Sequence, residues 1–178
     1  MLIINADDWG LDVATTRAIA QCHERGRVTA TSAMVFMDDS VRSAQIARDI
    51  DIDVGLHVNL TEPFTSDDAA PAAREAQKSV AQFLRGNRLA SVVLNPLLHS
   101  AFKIAVSAQL DEFRRLYGRD PSHIDGHHHQ HLSANVLFGG LLPAGAIARR
   151  HFTFYAGEKS RLNRAYRAIC DCVLALRC

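Results

Sequence analysis

Leu2-Ile3-Ile4-Asn5-Ala6-Asp7-Asp8-Trp9-Gly10 is the stretch on which the fold turns. Its apolar run over 2–5 reads as a buried strand, and the acidic half ending in glycine reads as the turn into which that strand breaks. Asp12 then suits a helix N-cap, and Val13, Ala14, Ala18, Ile19 and Cys22 recur at helical spacing until Gly26 stops the segment. Working outward, Ala30 to Phe36 is a second β-prone run, Ser40 caps a helix through Val41, Ala44 and Ala47, and Val54 to Leu60 is a third apolar strand. The order is βαβαβ. That alternation predicts an α/β fold with parallel strands covered by helices, whose functional groups collect where the strands end.

Further on, Thr61 to Pro71 holds two prolines and no periodicity, so it reads as a loop able to cover a site. Helical patterns follow around Ala73–Leu84 and Leu97–Tyr117. Gly118-Arg119-Asp120-Pro121 ends the second, and Ser122 to Asp125 resumes as a short strand that runs into a histidine cluster. In the tail, Leu162, Tyr166, Ile169, Cys170, Val173 and Leu176 form an apolar stripe among Lys159, Arg161, Arg164 and Arg167. Such a helix either packs its stripe on the domain or lies on a membrane or partner.

The 178 residues predict one domain, 1–178, of ordinary globular composition: 48% hydrophobic and 22% charged. Twenty Lys and Arg against nineteen Asp and Glu give a net charge of +1, which predicts no nucleic-acid partner. No stretch approaches the roughly 18–20 apolar residues of a membrane span, and the start lacks the basic and apolar regions of a secretory signal. Three of the four cysteines (Cys22, Cys170, Cys172, Cys178) crowd the C-terminus, unlike a disulfide framework. Reduced thiols and a cytoplasmic setting are expected.

Three clusters could do chemistry, each at a predicted strand end. Asp7 and Asp8 are adjacent carboxylates, costly to desolvate unless a cation or donors compensate, although turns also use Asp. In Gly55-Leu56-His57-Val58-Asn59-Leu60-Thr61, alternation puts His57 and Asn59 on one strand face; by itself a histidine such as His57 is more often a satisfied core or surface residue than a ligand. In His123-Ile124-Asp125-Gly126-His127-His128-His129-Gln130-His131, Asp125, His127, His129 and His131 share a face if the strand continues. A solvated His-rich loop is the other reading. Together the clusters supply two histidines and a carboxylate from three strand ends, a set that lets a divalent ion activate water, with the spare Asp as general base.

Asn5-Ala6-Asp7-Asp8-Trp9-Gly10, Gly55-Leu-His-Val-Asn-Leu-Thr61 and His123-Ile-Asp-Gly-His-His-His-Gln-His131 resemble, in order and spacing, the YdjC-like carbohydrate deacetylase family, and Gly26-Arg-Val-Thr-Ala-Thr-Ser32 resembles its second strand. The resemblance covers roughly residues 1–135. It implies a distorted (β/α) barrel akin to polysaccharide deacetylases and metal-dependent hydrolysis of the N-acetyl group of an amino sugar, oligosaccharide or glycolipid. Carried over by position, Asp8, His57 and His127 are the ligands of one divalent ion, Mg2+ or Zn2+, and Asp7 is the catalytic base. Asp125, His129 and His131 are orienting or proton-relay groups, and Asn59 contacts substrate. Arg149 to Arg177, with Phe152-Thr-Phe-Tyr and Gly157-Glu-Lys-Ser-Arg-Leu-Asn-Arg, resembles the hopanoid-biosynthesis-associated branch, whereas Gly55 to Thr61 resembles the general form.

Family members run longer and carry a later His-Pro-Gly segment, and no His-Pro pair occurs here. The resemblance therefore implies an incomplete barrel whose exposed strand edges and helix face invite association with a second copy. The alternative is a truncated, non-catalytic fragment that binds metal or a partner. Hydrolysis of a glycosidic bond fits less well, because adjacent Asp7 and Asp8 could hardly flank one bond from a single strand end.

Overall fold

The computed structural model describes residues 2–87, 89–151, 155, 158 and 160–178. Among these, four parallel strands stand side by side in chain order: β1 (Asn5–Trp9), β2 (Ala30–Ala33), β3 (Asp53–Val58) and β4 (Ile124–Gly126). Each crossover steps one strand further in the same direction, through α1 (Val13–Glu24), α2 (Ser40–Asp49) and then the pair α3 (Pro71–Gly86) and α4 (His99–Tyr117). An unreversed order is the winding of a (β/α) barrel, in contrast to the doubly wound sheets whose order switches midway. The arc reaches one position beyond β4: Ile124 N–H donates to Ile147 O at 2.7 Å and Arg149 N–H to Ile124 O at 2.9 Å.

Burial on both faces explains the apolar strands. Every residue of β2 is buried, as are Val54, Leu56 and Val58 of β3, with Trp9, Phe102 and Phe113 among the largest fully enclosed side chains. Helix α4 turns Phe102, Ala105, Val106, Leu110, Phe113 and Leu116 inward at helical spacing and stops where Gly118 takes the left-handed conformation, φ 68°. Asp12 caps α1 as expected, accepting from Thr15 N–H at 2.8 Å.

Three expectations are corrected. Leu2–Ile4 is not a buried strand: these residues are 76%, 63% and 42% exposed, and pairing with β2 starts at Asn5. Among the described residues β1 is the sheet's edge, so its apolar approach has a neighbour on one side only. Ser40 does not cap α2; Asp39 holds that position, while Ser40 Oγ accepts Met37 N–H and donates to Met34 O. The tail stripe packs only at its centre in α6 (Arg161–Arg177), where Cys170 and Leu174 are buried while Leu162, Ile169 and Leu176 stay exposed. Most of the Phe152-Thr-Phe-Tyr and Gly157-Glu-Lys stretches, Lys159 included, lies outside the described residues. No described helix is long and apolar enough to cross a membrane.

Candidate metal centre

A regular strand would send Asp7 and Asp8 to opposite faces. β1 avoids this with a bulge: Ala6 pairs with Thr31 and Trp9 with Ala33, so one extra residue is accommodated between them, and Asp8 adopts φ 70°. Aspartate is among the few residues that tolerate that conformation. Both carboxylates thereby join one network at the carboxyl end of the sheet.

His57 and Asp125 are register partners on β3 and β4, so their side chains are same-face neighbours. The pairing is tight: His57 Nδ1 to Asp125 Oδ1 is 2.7 Å, with both groups buried. An imidazole that donates through Nδ1 presents the lone pair of Nε2. That nitrogen lies 3.3 Å from Asp8 Oδ1, and His127 Nδ1, one residue past β4, lies 2.9 Å from the same oxygen. The three ligand atoms of Asp8, His57 and His127 all lie within 4.8 Å of one another. The Asp8 side chain keeps 30% of its exposure, so the group is open to solvent on one side.

Electrostatics make the same point. Hydrogen bonds from His127 and then His57 hold the Asp8 carboxyl well below the usual carboxylate range. Burial by itself pushes His57 down, but its hydrogen bonds to Asp125 and Asp8 outweigh that and raise it to about 9. Three carboxylates, Asp7, Asp8 and Asp125, meet one guanidinium, Arg149, so two negative charges remain for the His57 proton or, when that is displaced, a cation to balance. Two imidazoles, a carboxylate and that charge deficit fit a divalent cation, and the Asp125 carboxylate behind His57 is the usual support of a metal-binding histidine.

Asp7 stands beside this group. Both of its oxygens accept from Arg149 Nη1 at 2.9 Å, and Oδ1 also accepts from Asn5 Nδ2 at 2.9 Å. Arg149 Nη1 further donates to Asp125 Oδ2 at 2.9 Å, an oxygen that Ser32 Oγ also reaches. Arg149 was not among the residues expected from sequence. It sits in a stretch without periodicity, and nothing local distinguishes it from Arg150.

The histidine cluster departs from expectation after His127. The strand ends at Gly126, and residues 127–132 turn tightly with a kink at His128 and His129, whose φ of 53° and 58° are left-handed rather than helical. The fold back brings His131 against Gly126, where a Cβ would lie 2.9 Å from the His131 backbone N, so the turn has room for glycine only. Hence Asp125, His127, His129 and His131 do not share one strand face. His129 is exposed, while His131 is buried with Nε2 2.9 Å from Arg149 O, bracing the backbone of the arginine. Asn59 is likewise turned to structural use: fully buried, it accepts Thr61 N–H and Glu62 N–H and donates to Glu62 O. A substrate contact through Asn59 would have to break this loop.

A family model described as YdjC-like protein matches residues 1–164. A chitooligosaccharide deacetylase from Proteus mirabilis is 33% identical over 140 residues, covering 77% of this chain and 52% of the relative. One from Salmonella dublin is 30% identical over 167 residues, covering 92% and 60%. The chain thus spans little more than half the length of these curated relatives. A crystal structure from Enterococcus faecalis V583, described as a cellobiose-phosphate cleavage protein, superposes with a TM-score of 0.65 at 25% identity over 96% of this chain and 64% of that one. The match over residues 1–164 spans all three clusters at the strand ends, and the chain belongs to the YdjC-like protein family.

Proposed function

We propose that the chain is a metal-dependent carbohydrate deacetylase that hydrolyses the N-acetyl group of an amino sugar, an N-acetylhexosaminyl oligosaccharide or a glycolipid. The observation that carries this reading is the joining of Asp8, His57 and His127 in one ligand group, with a separate carboxylate, Asp7, fixed beside it. The names of the Proteus and Salmonella relatives support the substrate class. Asp8, His57 and His127 would hold the ion. Zn2+ suits the two imidazoles, and Mg2+ is the alternative. When bound, such an ion supplies Lewis acidity toward the acetyl carbonyl and makes a coordinated water more acidic.

The protein's own part is positional. Asp125 fixes the tautomer and direction of His57, and Arg149 and Asn5 fix Asp7. Asp7 takes the proton of the attacking water at a carboxylate oxygen that Arg149 and Asn5 hold in place. Cleavage of a glycosidic bond fits the site less well, since Asp7 and Asp8 leave the same strand end and do not flank a bond. The free cysteines suit a reducing, cytoplasmic setting.

The test is acetate release from N-acetylated chitooligosaccharides by the metal-loaded chain, with metal content measured in parallel. At least one equivalent of metal with acetate release is expected. Bound metal without release from any N-acetylated sugar would overturn the catalytic reading and leave a metal-binding, non-catalytic chain.

A further inference from the structure

A second set of ligand-type side chains borders the first on its more exposed side. Glu62, His127 and His128 each offer a ligand atom, and these atoms lie within 4.8 Å of one another. Glu62 and His127 are half-buried and His128 is exposed, whereas His57 of the first group is buried. We infer that Glu62, His127 and His128 form an outer binding site for a second divalent ion of the first-row class, sharing His127 with the inner group.

Glu62 is held in place by a built turn. Its N–H donates to Asn59 Oδ1 at 2.8 Å, and its carbonyl accepts from Asn59 Nδ2 at 2.9 Å and from Gln77 Nε2 of α3 at 2.6 Å. Thr61 supplies a partner for the other end: its Oγ1 lies 3.0 Å from His128 Nδ1, which leaves Nε2 of that ring for a ligand. The His127 and His128 rings are 4.1 Å apart between centroids. His128 is an exposed residue at positive φ, like its neighbour His129, and backbone of this kind is often found at ligand sites.

Two imidazoles and one carboxylate favour Zn2+ over Mg2+, with solvent completing the shell on the open side. His127 has two ring nitrogens, of which Nδ1 faces Asp8 at 2.9 Å; a ring that serves both ions at once does so as imidazolate, releasing its remaining ring proton to solvent. The outer site is the weaker. Arg85 Nη2 holds Glu62 Oε1 at 2.6 Å and competes for the carboxylate, whereas His57 of the inner group has Asp125 behind it.

The experiment is a Zn2+ titration of the metal-stripped full chain against a chromophoric chelator. Wild type is expected to bind two equivalents, the second more weakly. Glu62→Gln and His128→Ala, both at solvent-accessible positions, each lose the weak equivalent and keep the tight one. His57→Ala does the reverse. Arg85→Ala tightens the weak site roughly twofold to fivefold, the scale of an exposed ion pair. The inference is overturned if wild type stops at one equivalent and His57→Ala removes it, an outcome that leaves the inner site standing. It is overturned equally if the second equivalent survives both Glu62→Gln and His128→Ala. A single equivalent that survives His57→Ala but not Glu62→Gln would instead overturn the inner site and keep the outer one, and no binding at all would overturn both.

Discussion

Arg149 Nη1 stands 2.9 Å from each carboxylate oxygen of Asp7. The same nitrogen reaches Asp125 Oδ2, so one atom ties the carboxylate beside the metal ligands to the carboxylate that orients His57. These contacts run through a single nitrogen, and that shapes the first prediction. Arg149→Met should lower acetate release by about 10²-fold, while Arg149→Lys, which can also bring one cationic nitrogen to the three oxygens, should recover part of it. Steady-state kinetics of the two variants check this, and equal loss in both would show that the fork geometry, rather than this nitrogen, is what counts.

Asp7→Asn keeps the shape of the side chain and removes its basicity. Turnover should fall by about 10²–10⁴-fold, the usual worth of a general base, with the tight equivalent of metal still bound. Metal analysis beside kinetics checks the split; near-normal turnover in a homogeneous preparation would remove Asp7 from the mechanism.

Asp125→Asn tests the support behind His57. The amide oxygen can still accept from Nδ1–H but without the negative charge that makes His57 a stronger ligand, so affinity for Zn2+ should drop roughly 10- to 100-fold while Asp8, His57 and His127 all remain. Chelator competition reads this directly.

How far the site can be read from sequence depends on the distance over which its parts are defined. Asp12 as a cap and the inward stripe of α4 are local facts, and spacing exposes them. Asp8, His57 and His127 are legible because each lies at a strand end, where an α/β fold gathers its chemistry. The Asp7–Arg149 contact joins residues 142 positions apart, and no periodicity marks it. The turn at His128–His129 is hidden for another reason: alternation predicts a continuing strand, while the chain takes left-handed backbone at two successive histidines, which no side-chain pattern announces. Leu2–Ile4 shows the converse error, an apolar run that pattern reads as buried and the edge of the sheet leaves exposed.

The charge state of His57 makes stability depend on pH. In the metal-free protein its pKa is raised from 6.5 to about 9 by Asp125 and Asp8 against the pull of burial. Stabilisation from the charged imidazole is therefore fully present below about pH 6.5 and is lost as pH rises through about 9. Asp8, held low by His127 and His57, stays ionised across that window. Urea midpoints of the metal-stripped protein should fall between pH 6.5 and 9 more steeply than those of His57→Gln. With saturating Zn2+ the fall should vanish, because metal binding displaces the proton. A wild-type slope no steeper than that of the variant would mean that His57 carries no proton in the folded metal-free chain.

Gly55 decides whether β3 and β4 can lie close enough for His57 to meet Asp125. A Cβ at position 55 would sit 2.5 Å from the His123 ring and 2.5 Å from the His123 carbonyl oxygen. The ring could swing away, but the carbonyl cannot, since it accepts Leu56 N–H at 2.9 Å and anchors the pairing of the two strands. Relief must come from spreading β3 and β4, and His57 and Asp125 lie only two residues from the points pushed apart. Gly55→Ala should therefore cost about 1–3 kcal/mol of stability, the range for overpacking, and weaken Zn2+ binding at the same time. Gly86, at the end of α3, has nothing within 4 Å of its would-be Cβ, so Gly86→Ala should change stability by no more than about 0.5 kcal/mol and leave metal affinity alone. Urea unfolding and chelator competition on the two variants compare them directly. If Gly55→Ala matched Gly86→Ala in both, the close approach of the strands would not be what holds His57 and Asp125 together.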